Sequence, residues 1–89
     1  MKTELEKNTI NFVARVLNIP TEKISLSDSL VDDLAQDSIA LFELVIQFEK
    51  NIGISAKYSD LIEIDTVGDI VKYIEKIGVS SERLQEGLD

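Results

Sequence analysis

Between Asp37 and Gly53 the chain carries Ile39, Leu41, Phe42, Leu44, Val45, Ile46, Phe48 and Ile52, an apolar set at helical spacing that covers well over half of a helix circumference. A surface helix shows a narrower apolar face. A helix of this kind must be enclosed on several sides, or else leave apolar surface open for a partner. Its polar stripe is confined to Ala40, Glu43, Gln47 and Lys50. Both consequences are expected. Leu44, Val45, Phe48 and Ile52 are assigned to the core, whereas Ile39, Phe42 and Ile46, lying beside Glu43, form a candidate docking face. The helix should start at Asp37 or Ser38 and end at Ile52, with Gly53 as a left-handed cap.

Two further helices flank it. Thr3-Glu4-Leu5-Glu6 fits a capping box, and Leu5, Thr9, Phe12, Val13, Val16 and Leu17 then recur at helical spacing, with Glu6, Lys7, Asn11, Ala14 and Arg15 outward. Pro20 ends this helix near residue 18. Thr66-Val67-Gly68-Asp69 opens the last one, whose buried stripe is Val67, Ile70, Val71, Ile74 and Ile77, with Lys72, Tyr73, Glu75 and Lys76 outside; Gly78 closes it. Tyr58, Leu61 and Ile62 suffice for one or two helical turns. Residues 19–36 are read as a long connection pinned by Ile24, Leu26, Leu30, Val31 and Leu34. With no strand-period alternation, the fold class is all-α: a small four-helix bundle, three main helices and one short one, with a long first inter-helix loop. Residues 1–89 form one domain, in which 79–89 is a frayed tail or a short extra turn, weakly anchored by Leu84 and Leu88 with Ser80 as a possible cap.

Composition narrows the chemistry. The 89 residues contain neither cysteine nor histidine, which removes thiolate chemistry, disulfides and the commonest general base and metal ligand. Of a net charge of −8, all of it falls within residues 21–70, which hold eleven acids and three bases. That field repels nucleic acid and anionic lipid and steers basic protein patches toward it. Asp28, Asp32, Asp33 and Asp37 do not make a calcium loop, because Leu30, Val31 and Leu34 occupy ligand positions and the central glycine is missing. No dedicated metal site is assigned, and only weak divalent binding to clustered carboxylates is expected. No apolar run can span a bilayer, and the N-terminus is charged where a signal peptide is apolar, so a cytoplasmic monomer without membrane insertion is expected.

Ser38 stands where the acidic loop meets the apolar helix. The first turn of a helix offers amides without intrahelical partners and the positive end of the dipole, so a phosphate esterified there would be stabilised. Asp28-Ser29-Leu30 has the same local form as Asp37-Ser38-Ile39, but no sustained helical pattern follows it. A nucleophilic-serine enzyme would need a general base beside Ser38, and the sequence places none there. No catalytic residue is assigned. The alternative is an acidic helical interaction module in which Ser38 is only a helix cap.

The run from Asp33 to Glu49, D-L-A-Q-D-S-I-A-L-F-E-L-V-I-Q-F-E, resembles the phosphopantetheine-attachment motif of acyl carrier proteins, and T-V-G-D-I-V-K-Y-I from Thr66 to Ile74 resembles their last helix. Ile54 after Gly53 and the acidic first loop extend the resemblance over roughly residues 3–77. It implies that Ser38 receives 4′-phosphopantetheine from coenzyme A through a phosphopantetheinyl transferase, with Asp37 helping to present magnesium and the serine. The arm would carry acyl thioesters to fatty acid, polyketide or related biosynthetic enzymes. It further implies that Ile39, Phe42, Glu43 and Ile46 dock acyl-loading and acyl-transferring enzymes through their basic patches. Ala35-Gln36 stands for the family's usual Gly-Ala. Ala40, Phe42 and Lys50 stand for an acid, a valine and a glutamate, which implies a dedicated partner set. The Gly-Gly-His/Asn context of peptidyl carriers is absent.

Overall fold

The structure is a computed structural model describing residues 2–34, 37–53, 55 and 58–85, with the backbone alone described at Ser38, Tyr58, Ser81 and Gln85. Helix α1 spans Glu4–Leu17 and opens with the expected capping box, Glu6 N donating to Thr3 Oγ1 at 3.1 Å and Thr3 N to Glu6 Oε1 at 2.8 Å. Asn18 ends it in the left-handed region at φ 58°, where the short polar side chain of asparagine is tolerated. Its buried arc is wider than the sequence stripe: Asn8, Ile10 and Ala14 are buried as well, Ala14 against expectation. The reason is that α1 packs against the two other long helices and the C-terminal turn together. Thr9 sits in this core with its hydroxyl donated to Leu5 O at 2.8 Å.

The long connection is not featureless. A 3-10 turn occupies Thr21–Lys23 and a π-type turn Leu30–Leu34, the latter closed by Asp33 N and Leu34 N donating to Ser29 O at 2.9 and 3.2 Å. Ile24, Leu30 and Leu34 are buried and Leu26 is half-buried, as anchors should be. Val31 is instead exposed, because the π-type turn points Leu30 and Leu34 inward and carries the residue between them out.

Helix α2 spans Ser38–Ile52 and ends at Gly53, whose φ of 84° requires glycine and whose N–H returns to Glu49 O at 2.8 Å. Leu44, Phe48 and Ile52 are buried. Val45, assigned to the core, is only half-buried, since it borders a cavity described below. Helix α3 is the single turn Tyr58–Leu61. Helix α4, Val67–Ile77, starts at the Thr66–Asp69 capping box and stops at Gly78. Tyr73 was expected outside and is buried: its ring lies 5.9 Å from that of Phe48, which in turn meets Phe12 edge-on at 6.2 Å. This aromatic row widens the buried face of α4. A 3-10 turn, Ser81–Gln85, follows, and Leu84 on it is fully buried.

Backbone bonds tie the long connection to the start of α4. Leu30 N donates to Asp65 O at 2.7 Å, Val67 N to Asp28 O at 3.1 Å and Gly68 N to Leu26 O at 2.8 Å. A Cβ at Gly68 would lie 3.1 Å from Leu26 O, so glycine permits this approach. The architecture is all-α, with an isolated bridge between Ser29 and Thr66 and no strand among the described residues. Ala35, Gln36, Ile54 and Leu88, used in the sequence reading, lie outside the described residues. No described helix is long and apolar enough to cross a membrane.

Candidate functional site

The loop reaches α2 through Asp37, which is the N-cap residue: extended at φ −159°, it accepts Ala40 N–H on its carboxylate Oδ1 at 2.8 Å. Ser38 is therefore the first residue of α2 and not its cap, which corrects the reading of Ser38 as only a capping hydroxyl. The first turn of α2 contains no acidic side chain, and the carboxylate of the N-cap Asp37 lies at the positive end of the helix.

The other serine of the same local form is differently placed. Ser29 is 9% exposed, and its hydroxyl donates to Asp65 Oδ1 at 2.9 Å while accepting Asp32 N–H at 3.1 Å. Its own N–H donates to Asp33 Oδ2 at 2.7 Å. Ser29 is a structural knot between the π-type turn and the start of α4. Asp69 tightens the same junction by accepting Asp65 N–H and Thr66 N–H at 2.9 and 3.0 Å. Those two amide donors, Thr66 foremost, hold its carboxyl below the usual carboxylate value.

Along α2, Ile39, Phe42 and Ile46 are 76%, 67% and 54% exposed. Glu43 is exposed between them and accepts Gln47 Nε2 at 3.0 Å. The expected docking residues thus share one open face. Phe42 also borders a cavity of about 340 Å³ that runs inward between α2 and α3. Leu41, Leu44, Val45 and Phe48 of α2, Phe12 of α1 and Ile70 of α4 form its walls, and the described lining residues are all apolar. Val31 and Ile62 lie at the same cavity while remaining exposed. The sequence reading did not place these two at the site. The available signal was the pairs Leu30-Val31 and Leu61-Ile62, in which adjacent apolar residues cannot both face the core from a helical turn.

With the geometry in place, comparison with known proteins is decisive. The family model for the phosphopantetheine attachment site matches residues 10–74. An acyl carrier protein of Thermotoga maritima is 36% identical over 75 residues, covering 84% of this chain and 93% of that protein. The chain belongs to the acyl carrier protein family. An acyl carrier protein of Porphyromonas gingivalis is 38% identical over 74 residues, 83% of this chain and 95% of its own length. A meromycolate extension acyl carrier protein of Mycobacterium leprae is 32% identical over 85 residues, 96% of this chain and 74% of its own. As a family member the chain is a carrier and not an enzyme. Its cofactor is covalently attached 4′-phosphopantetheine, and it serves acyl transfer of the fatty acid and polyketide type. Its partners therefore include a phosphopantetheinyl transferase and biosynthetic enzymes.

Proposed function

We propose that Ser38 is the residue that carries 4′-phosphopantetheine and that the Ile39, Phe42, Glu43 and Ile46 face of α2 docks the enzymes that load and unload it. The observation that carries the reading is the contrast between the two serines. Ser29 is buried and its hydroxyl is committed to Asp65, whereas Ser38 is the first residue of α2, whose N-cap is Asp37. Ser38 also opens a helix of 15 residues, whose N-terminal amides and dipole suit an esterified phosphate. When bound, the arm supplies a terminal thiol that holds an acyl group as a thioester.

The chain's own residues supply the rest. Asp37 fixes the start of α2 and brings a carboxylate next to Ser38, suited to sharing a magnesium ion with the transferase. The cavity beside Leu41 and Phe42 suits a hydrocarbon cargo, since its described lining side chains are apolar and a polar group buried among them would lack side-chain partners. The exposed apolar face around Glu43, set in an acidic protein, suits enzymes that present a basic rim around an apolar patch, and such contacts exchange quickly.

Incubation with coenzyme A and a broad-specificity phosphopantetheinyl transferase tests the assignment by intact mass. One phosphopantetheine increment is expected on the wild type and on Ser29→Ala, and none on Ser38→Ala. A persistent increment on Ser38→Ala would sink the assignment.

A further inference from the structure

The family match stops at residue 74, yet the 3-10 turn Ser81–Gln85 is bound to both long helices of the first half of the chain. Arg15, in the last turn of α1, donates from Nη2 to Leu84 O at 2.8 Å. Arg83 donates from Nη1 to Ile52 O at 3.0 Å, in the last turn of α2. Leu84 between them is fully buried in the core. The end of a helix leaves carbonyls without intrahelical partners, and a guanidinium there is favoured both as donor and as positive charge at the negative end of the dipole. Arg15 also stacks over Phe12, its guanidinium carbon 5.6 Å from the ring centroid, so the same group that holds the turn braces a wall of the cavity.

We infer that Arg83 and Leu84 position helix α2, forming a latch that fixes its C-terminal end to α1 while its N-terminal half borders the cavity. Helix α2 meets α1, the π-type turn, this latch and, through Phe48 and Tyr73, α4, while the cavity lies between its N-terminal half and Leu61 and Ile62. Any adjustment that admits cargo then falls on the α3 side, and the docking face keeps its orientation to Ser38. The functional consequence rests on the reading of α2 as the docking helix; the latch itself does not.

Hydrogen exchange of the unmodified full chain, resolved on α2 and α4 by mass spectrometry, tests the latch. In Arg83→Ala, residues 48–52 should exchange about tenfold faster, as expected for loss of one charge-assisted hydrogen bond, while residues 67–77 keep their wild-type rates. Arg83→Lys, which retains a cationic donor, should recover part of the protection. Leu84→Ala should loosen the same end of α2 and the last turn of α1 together; if it does not fold, the two Arg83 variants decide. Equal acceleration in α2 and α4 would reduce the turn to general stabilisation and overturn the proposal, as would unchanged rates at 48–52. The transferase KM for Arg83→Ala should rise at constant kcat. An unchanged KM beside a localised exchange change supports the latch and counts instead against docking through α2.

Discussion

Asp69 shows how much one carboxylate does in a domain of this size. It accepts the amides of Thr66 and Asp65 and so closes both the N-terminus of α4 and the junction with the long connection. These bonds, with Lys72 nearby, favour its charged form, and its folded-state pKa lies below the ordinary 3.8. Between the two values the unfolded chain binds more protons, so stability rises with pH there. The contribution is complete above the ordinary carboxylate range and is lost as pH falls through the depressed value. Melting temperatures of wild type and Asp69→Asn should differ at neutral pH and converge below the ordinary carboxylate range. A constant gap down to the lowest pH would show that the charge is irrelevant. Residue identity also separates the two serines. Both follow an aspartate, but the Ser29 hydroxyl is given to a remote carboxylate, that of Asp65, whereas Ser38 is the first residue of a helix capped by Asp37. Nothing local in Asp28-Ser29-Leu30 announces that bond, because Asp65 lies far along the chain.

At the level of elements, helix starts and stops were legible because capping is local. Thr3 with Glu6, Thr66 with Asp69, Gly53 and Gly78 all act within one turn of the helix they end. Which faces are covered was less legible. The sequence reading left Ile39, Phe42 and Ile46 of α2 open, as they are, but it buried Val45, which is half-buried, and turned Ala14 and Tyr73 outward, which are buried. Periodicity reports that a face is apolar and not what covers it. A pair of substitutions separates the two faces of α2. Phe48→Ala should cost about 3–5 kcal/mol in urea unfolding, since it removes the ring that joins Phe12 to Tyr73. Phe42→Ser, at an exposed position, should stay within about 0.5 kcal/mol of wild type. A large loss from Phe42→Ser would mean that its ring supports the core and is not held out for a partner.

At the scale of the whole molecule, closure brings like charges together. Joining the long connection to α4 sets Asp33 and Asp65 on either side of Ser29, with Asp69 one hydrogen bond further on, in a chain of net charge −8. Folding therefore works against self-repulsion that the unfolded chain relieves by expanding. Millimolar magnesium or calcium should raise the melting temperature, because cations accumulate more strongly around the compact state. A melting curve unaffected by divalent ions would show that the acids are already adequately screened. By itself the sequence determined the all-α class, the ends of the three long helices, the family and the serine at the start of α2, all of which depend on spacing within a few residues. Only the tertiary structure decided that Ser29 is a buried tie, that Tyr73 and Ala14 lie inside, that Val31 and Ile62 border the cavity with Phe42, and that the C-terminal turn holds α1 and α2. Each of these depends on a contact between residues remote in sequence; the pairs Leu30-Val31 and Leu61-Ile62 show locally that one member faces outward, but not what it borders.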